Sequence, residues 1–418
     1  MIGRAFTYTQ AKLEAGRCLM CADAPCSCNC PAGINARSFI RKIRFENFEG
    51  AIRNLKQSNV LAASCSYICP TGTSCARECS AKELSNPIDI SGLQRFVMDY
   101  ERHTGMLEPA FYPVNGKKVA VVGAGPAGLG CATELRLRGH EVTVFEASNV
   151  IGGMLRHCIP SFRLPVDVID FEAEFIKKLG VKFSLGKKIT DPKSLLSQGF
   201  EAVFIGAGLP RSKSADFTNS EISGVYQATE FLKDVKHGTM PDLGKRVLVI
   251  GGGDTAIDAA RTARLAGAES FIVYRRTQKE MPAYQNEIEA AWHEGVEFYF
   301  RVLPRSVVGD KSVKGLKCVR VKWHDKISGM PQGYDVEGTE FTIACDTIIT
   351  AIGQSPESTF GLRTSPSGLI GVEKNTFKTS IEGIFAAGDI VDGGGTAAKA
   401  VGMGKLAAMQ MDVYLLTR

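Results

Sequence analysis

The 418-residue chain has little charge imbalance, no long apolar run and few histidines, and each shortage removes a class of function. The formal net charge is only +6, and basic residues gather in nothing longer than pairs such as Lys117-Lys118 and Arg275-Arg276. Nucleic acid or an anionic membrane surface calls for a denser block than that. No stretch approaches the ~20 apolar residues of a spanning helix. The N-terminus, MIGRAFTYTQAKLEAGRC, lacks the apolar region of a secretory leader. A soluble, cytoplasmic protein is therefore expected. The six histidines are scattered and none falls in a recognisable catalytic spacing, so no proton-transfer residue is assigned.

Cysteine, by contrast, is abundant and uneven. Nine of the 13 lie between Cys18 and Cys79, and only Cys131, Cys158, Cys318 and Cys345 lie beyond. An odd count without a leader argues against a disulfide framework and for metal or redox chemistry. The spacing is Cys18-x2-Cys21-x4-Cys26-x3-Cys30-Pro31, then Cys65-x3-Cys69-Pro70, Cys75 and Cys79. The first run is similar to the bacterial ferredoxin pattern, in which three cysteines serve one [4Fe–4S] cluster and the cysteine before proline serves another. Soft thiolates hold cluster iron and tune its potential. A pair of structural zinc sites also fits Cys-x-x-Cys. The two Cys-Pro steps, the surplus cysteines and the downstream domain favour iron–sulfur. Helices are expected at Thr9–Arg17, Ala36–Phe45, Phe48–Ser58 and Gly92–His103, with loops carrying the cysteines, in a helical domain over 1–112.

The stretch Lys118–Glu146 reads as strand, glycine turn, helix, strand. Strand Val119–Val122 leads into Gly123-x-Gly125-x-x-Gly128, a helix ends near Gly139, and Val142–Phe145 is a second strand with Glu146 at its end. Gly123 permits the tight turn, Gly125 lets the backbone approach a pyrophosphate, and Gly128 lets helix and strand pack closely. The helix N-terminus offers free N–H groups to phosphate. Glu146 stands 23 residues after Gly123, where an acid accepts from an adenosine ribose. Gly152-Gly153 follows, with Gly153 a further cofactor candidate, then a helix at Val166–Leu179 and strands near Val181–Ser184 and Glu201–Ile205.

The pattern repeats 128 residues later. Strand Arg246–Ile250 opens into Gly251-x-Gly253-x-x-Ala256, helix Asp254–Ala266 and strand Ser270–Val273. Asp254 and Thr255 head that helix and join the glycines as candidate nucleotide contacts. Where Glu146 stood, this unit has Arg275 and Arg276, with Lys279 nearby. A carboxylate repels a 2′-phosphate, whereas adjacent guanidiniums bind it. The first unit is thus read as an FAD site and the second as an NADPH site, with NADH the lesser candidate.

From Asp346 the chain is expected to return to the first unit. Thr347–Ile352 and Ile384–Ala387 read as buried strands, the latter ending in Gly388-Asp389, which places an acid near the flavin ribityl or phosphates. The last helix, Ala397–Leu416, starts after Gly393-Gly394-Gly395-Thr396, and its N-terminus suits negative charge on a reduced flavin ring. The fold class is therefore an α-helical iron–sulfur domain followed by α/β two-dinucleotide-binding, Rossmann-like domains. The expected domains are the FAD domain over 113–240 and 345–418, with an NAD(P)H-binding insertion over 241–344.

These residues together resemble the flavin-containing electron-input module shared by dihydropyrimidine dehydrogenases and the glutamate synthase small subunit, over nearly the whole chain. The resemblance lies in RCLMCADAPCSCNCP (Arg17–Pro31), CPTGTSCAREC (Cys69–Cys79), PIDISGLQRF (Pro87–Phe96), CIPSFRLP (Cys158–Pro165) and GGGDTAIDAA (Gly251–Ala260). RCLMCADAPC and DISGLQRFVMDYERHTGM look closer to dihydropyrimidine dehydrogenase, and YRRTQKEMPA (Tyr274–Ala283) closer to the glutamate synthase small subunit. The resemblance implies that Cys18, Cys21, Cys26 and Cys79 hold one [4Fe–4S] cluster. It implies that Cys30, Cys69, Cys75 and, through its amide oxygen, Gln94 hold a second, leaving Cys28 and Cys65 as non-ligands. Cys158 replaces the glycine often found before IPxFRLP.

The expected activity is an electron relay from NADPH through FAD and the two clusters to a partner. A disulfide-reducing activity of the thioredoxin reductase kind would need a Cys-x-x-Cys in the second nucleotide unit, and 241–344 holds only Cys318. The chain ends straight after the last flavin-domain helix, so substrate reduction is expected on another polypeptide in a hetero-oligomer. That partner would be an FMN and iron–sulfur subunit reducing uracil or thymine, or alternatively the glutamate synthase large subunit. A non-catalytic assembly module is the remaining reading.

Overall fold

The computed structural model describes residues 5–110, 112–213, 217–327 and 330–417. Its contacts divide the chain into two units. One comprises the residues up to Arg156, Ser161–Leu209 and those from Pro356 onward; the other comprises His157–Pro160 and Pro210–Ser355.

The first unit opens with six helices: α1 (Tyr8–Gly16), α2 (Pro25–Cys28), α3 (Ala36–Arg44), α4 (Phe48–Ser58), α5 (Ala62–Ile68) and α6 (Ile90–Thr104). Side-chain caps start most of them. Thr7 and Gln10 form a capping box on α1, Asn35 accepts from Ser38 N–H, Asn47 from Gly50 N–H and Asp89 from Gly92 N–H. On α3 the helical spacing of Ala36, Phe39, Ile40 and Ile43 gives one buried face. The cysteines are not confined to loops as expected, because Cys26 and Cys28 lie in α2 and Cys65 in α5. Both helices are single short turns or two, below the length at which apolar periodicity can announce a helix.

The same unit continues as β1 (Lys118–Val122), α7 (Pro126–Leu137), β2 (Glu141–Phe145), α8 (Met154–His157, whose last residue falls in the second unit), α9 (Val166–Lys178), β3 (Lys182–Ser184), α10 (Lys193–Ser197) and β4 (Ala202–Ile205). β1 pairs in parallel with β2 and β4, with Val122 opposite both Phe145 and Ile205. Both faces of this sheet are covered, so β1 and β4 are almost continuously apolar and buried.

The second unit takes up β5 (Arg211–Ser212), β6 (Val225–Gln227), α11 (Ala228–Lys236), β7 (Arg246–Ile250), α12 (Asp254–Leu265), β8 (Glu269–Tyr274), α13 (Gln285–His293) and β9 (Glu297–Phe300). It ends with β10 (Val302–Val308), β11 (Gly315–Ile327), β12 (Met330–Asp335), β13 (Phe341–Ala344), β14 (Thr347–Thr350) and β15 (Gln354–Ser355). Its parallel sheet runs β6-β14-β7-β8-β9, and β10 to β13 form a separate antiparallel sheet centred on β11. Thr347–Thr350, expected in the returning flavin segment, instead pairs with β7 and β6. Val225–Gln227, expected in the first FAD segment, also belongs here. A buried parallel strand is apolar throughout and carries no mark of which sheet it joins.

After Ser355 the chain re-enters the first unit with β16 (Ile384–Ala386), α14 (Asp389–Asp392) and α15 (Ala397–Leu416). β16 completes the order β16-β4-β1-β2-β3. α15 lies on α7 in backbone contact: a Cβ on Gly404 would sit 2.0 Å from the Ala127 carbonyl oxygen, and one on Gly130 would sit 2.7 Å from that of Val401. Asp412 anchors the far end of α15, accepting from Arg138 Nη1 at 2.8 Å and meeting His140 Nε2 at 2.9 Å.

Candidate functional site

The first dinucleotide turn is built by glycines that each answer a different crowding. Gly123 has φ +104°, and a Cβ there would meet the Gly206 carbonyl oxygen at 2.6 Å. A Cβ on Gly128 would lie 1.9 Å from the Gly123 oxygen, so helix α7 can start only without one. Gly125 is different: its Cβ position is open, with nothing nearer than the Cα of Gly153 at 3.9 Å. That opening is a cradle at the N-terminus of α7, where free N–H groups and the dipole favour a pyrophosphate. Gly153 has φ +55°, and its own Cβ would fill the cradle, 2.8 Å from Gly125 Cα.

Two carboxylates stand at the rim. Glu146 accepts from Ala124 N–H at 2.7 Å and from Ser148 N–H at 2.8 Å, fixing the glycine loop while keeping lone pairs for a ribose. Gly388 has φ +80°, and its Cβ position is 2.7 Å from Ala127 Cβ, which places Asp389 beside the start of α7. Burial first, and then Asp392 beside it, pushes the Asp389 carboxyl up to about 6, while Lys399 pulls the other way. Thr396 caps α15, accepting from Lys399 N–H at 3.1 Å.

The second turn follows the same plan. Gly251 has φ +147° with its Cβ position 2.4 Å from the Ala351 oxygen, and the Gly253 cradle is open, with Pro282 Cγ the nearest atom at 3.9 Å. Ala256 stands in the third place, fully buried. Asp254 and Thr255 head α12, and Asp254 accepts from Tyr284 N–H at 3.1 Å. Tyr274 and the 281–284 loop went unassigned in the sequence. A Cβ on Gly252 would strike the Tyr274 ring at 2.5 Å, and Ala283 N–H donates to the Gly252 oxygen at 3.1 Å. Only their place in the YRRTQKEMPA stretch hinted at them. Burial raises the Tyr274 phenol above its ordinary range, and among its charged neighbours are Arg276, Glu280 and Arg275. Both arginines therefore stand within electrostatic reach of the ring that covers the glycine turn; Arg275 is exposed and Arg276 half-buried.

The N-terminal cysteines fall into two neighbourhoods, and none of the thirteen cysteines is in a disulfide. Burial raises the Cys18 and Cys26 thiols, with Cys79 and Cys21 adding to Cys18, and Cys18 and Cys79 adding to Cys26. Cys79 accepts from Ile88 N–H at 3.4 Å. Separately, burial pushes Cys69 up to about 11 with Cys30 adding, and Cys75 up to about 12 with Cys69 and Cys30 adding. Gln94 is buried; its Nε2 donates to the Ala62 oxygen at 2.5 Å, and its amide oxygen accepts no hydrogen bond among the described residues. Cys65 is fully buried beside this second group and accepts from Asn59 Nδ2 at 3.3 Å. Among the described residues no three His, Cys, Asp or Glu side chains converge as a single metal ion would require. A donor set of thiols with one amide oxygen and no histidine suits iron–sulfur ligation.

The flavin and cluster regions meet at α15. A Cβ on Gly402 would lie 2.0 Å from the carbonyl oxygen of Pro31, the residue after Cys30. Lys405 Nζ donates to the Ala32 oxygen at 3.2 Å and to the Ser58 oxygen.

These features define a two-dinucleotide flavoprotein with an N-terminal iron–sulfur domain. Residues 117–404 match the pyridine nucleotide-disulphide oxidoreductase family, with an overlapping match over 86–195, and residues 2–106 match dihydropyrimidine dehydrogenase domain II, 4Fe-4S cluster. The chain belongs to that oxidoreductase family and is an NAD(P)H-dependent flavin iron–sulfur oxidoreductase. It is 37% identical to the NAD-dependent dihydropyrimidine dehydrogenase subunit PreT of Escherichia coli K12, over 98% of this chain and 96% of that one. It is also 37% identical to the NADP(+)-dependent formate dehydrogenase subunit beta of Moorella thermoacetica, over 94% of this chain but only 60% of that one. Among solved structures, Mycobacterium tuberculosis FprA in complex with NADPH matches with TM-score 0.62 at 16% identity, over 73% of this chain and 85% of that one. Lactococcus lactis thioredoxin reductase matches with TM-score 0.56 at 21% identity, over 72% of this chain and all of that one. Among the described residues no helix is long and apolar enough to cross a membrane.

Proposed function

We propose that the chain is the NADPH-oxidising, electron-input subunit of a hetero-oligomer whose partner reduces uracil or thymine. The observation that carries this reading is the join at α15, where one helix reaches from the flavin cradle to the loop after Cys30. The near end-to-end match to a dihydropyrimidine dehydrogenase subunit supports a pyrimidine-reducing partner.

When bound, NADPH supplies a hydride, FAD accepts it, and two [4Fe–4S] clusters release electrons one at a time. The protein's part is to hold and orient. Gly123, Gly125, Gly128 and Gly153 would cradle the FAD pyrophosphate, Glu146 would take the ribose, Asp389 would stand at the ribityl or phosphates, and Thr396, at the start of α15, would face the flavin ring. Gly251, Gly253, Asp254 and Thr255 form the nucleotide turn, and Arg275 and Arg276 hold the 2′-phosphate. Relatives are named for either NAD or NADP, and the two arginines favour NADPH here. Cys18, Cys21, Cys26 and Cys79 hold one cluster; Cys30, Cys69, Cys75 and Gln94 hold the other.

The test is to purify the chain without oxygen, measure iron and flavin, and add NADPH. About eight irons per FAD, with visible bleaching on NADPH addition, is the expected result. Zinc in place of iron would end the relay reading.

A further inference from the structure

A third arginine stands in the second unit where Arg275 and Arg276 leave β8. In the parallel sheet Tyr274 of β8 lies opposite Phe300 of β9, and each is the last residue of its strand. The chain runs on from Tyr274 into Arg275 and Arg276, and from Phe300 into Arg301. Arg301 N–H donates to the Arg276 carbonyl oxygen at 3.1 Å, so the two segments stay side by side beyond the strands. Both lie at the carboxyl edge of the sheet, where open parallel sheets bind their ligands.

Arg301 is the single residue between β9 and β10, and it is held in a conformation that suits glycine better. Its φ is +58°, in the left-handed region where a β-carbon is crowded. Its carbonyl oxygen accepts from Val321 N–H at 2.9 Å, so hydrogen bonds on both sides of the residue impose that conformation. Strain of this kind gathers at binding sites. The side chain is exposed, and its guanidinium makes no ion pair or hydrogen bond among the described residues. The 275–280 loop and Arg301 together carry four cations, Arg275, Arg276, Lys279 and Arg301, and one acid, Glu280. That acid is committed to the turn, its Oε2 accepting from Thr277 N–H at 3.0 Å and from Thr277 Oγ1 at 2.9 Å. Those hydrogen bonds hold the Glu280 carboxyl below its ordinary range, and Arg276 and Arg301 lower it further, burial pulling the other way. One carboxylate thus lies within electrostatic reach of both guanidiniums, which puts them round a common point.

We propose that Arg301 is a third guanidinium of the 2′-phosphate site and a determinant of NADPH over NADH. The inference rests on the reading of Arg275 and Arg276 given above and adds a residue from the neighbouring strand. A phosphate monoester offers three strong acceptor oxygens, so it takes charge-assisted hydrogen bonds from more than one guanidinium at once. The left-handed turn is then the cost of aiming a cation where glycine would aim none.

The test titrates the anaerobically purified full chain with NADP+ and with NAD+ by calorimetry at low ionic strength. The two ligands differ only in the 2′-phosphate, and neither carries a hydride to transfer. The variant is Arg301→Gly, which suits the backbone and removes the cation. We expect it to weaken NADP+ binding about tenfold, to leave NAD+ binding unchanged and to melt no lower than the wild type. Equal weakening of both nucleotides would reduce Arg301 to a structural part, and unchanged NADP+ binding would remove it from the site; either result overturns the inference. Should Arg301→Gly melt lower, Arg301→Gln decides: the same loss confined to NADP+ supports the assignment and its absence rejects it. Arg275→Ala with Arg276→Ala, titrated alongside, separates the two levels of the reading. Loss of NADP+ preference in that pair but not in Arg301→Gly would strike out Arg301 alone. A wild-type protein that binds both nucleotides alike would refute the 2′-phosphate site itself.

Discussion

Glu172 sits where the flavin domain touches the cluster helix, and its titration gives a quantitative test of that contact. The side chain, on α9, is fully buried and accepts from Ser64 N–H at 3.1 Å and from Ser64 Oγ, at the start of α5. Lys56 is the cation nearby, held by Glu101 at 2.5 Å and lying 3.8 Å from the Phe175 ring centroid. Burial pushes Glu172 from 4.5 up to about 7, with the Ser64 hydrogen bonds, the Ala63 N–H and Lys56 pulling the other way. A carboxyl whose folded pKa lies above its unfolded one binds extra proton in the fold, so its contribution to stability is lost as pH rises from about 4.5 through about 7. At about 1.4 kcal/mol per pH unit the full effect is about 3 kcal/mol. Glu172→Gln keeps an acceptor for Ser64 and abolishes the titration. The two tryptophans, Trp292 and Trp323, both lie in the second unit, so their fluorescence would miss the event. Hydrogen exchange of the α5 amides, corrected for intrinsic rates, reports it directly. Wild-type protection should fall between pH 5 and pH 8, and that of the variant should stay level. Equal slopes in both proteins would refute the assignment.

Replacing Arg275 and Arg276 together by Ala should raise KM for NADPH far more than for NADH, each lost charge-assisted contact weakening binding by roughly 1.5–3 kcal/mol. Steady-state kinetics with both nucleotides checks this, and equal effects would place the arginines outside the 2′-phosphate site. Gly402→Ala should push the Pro31 carbonyl away at a cost of about 1–3 kcal/mol, and iron analysis should show selective loss from the Cys30 group. Gln94→Ala should alter the electron paramagnetic resonance of one reduced cluster and leave the other signal unchanged; two altered signals would contradict the division of ligands.

The parts of this fold legible in the sequence were those governed by local sterics. The strands and helices at both glycine turns stand within a residue or two of where the pattern puts them, because a buried parallel strand meeting a tight turn leaves little choice of residue. The last helix, Ala397–Leu416, is also as read. What was illegible depends on partners distant in sequence. β11 reads GLKCVRVKWHDKI, and its charged residues concealed a strand that pairs with β10, β12 and β13. The return point from the second unit was misplaced because β14 looks the same whichever sheet it completes. The division of the cysteines into two groups came from resemblance, since spacing alone does not connect Cys79 with Cys18.

The contact of α15 with α7 and with the Cys30 loop is made by bare backbone, at Gly404, Gly130 and Gly402. A junction filled by side chains can relax when one of them changes, because a neighbour swings into the gap. At those three points there is no such adjustable part, and the Lys405 side chain beside them is held by the Ala32 and Ser58 carbonyls. Those glycines therefore decide how closely the flavin cradle and the Cys30 loop approach one another. Substitutions elsewhere can then change surface and charge without altering that approach.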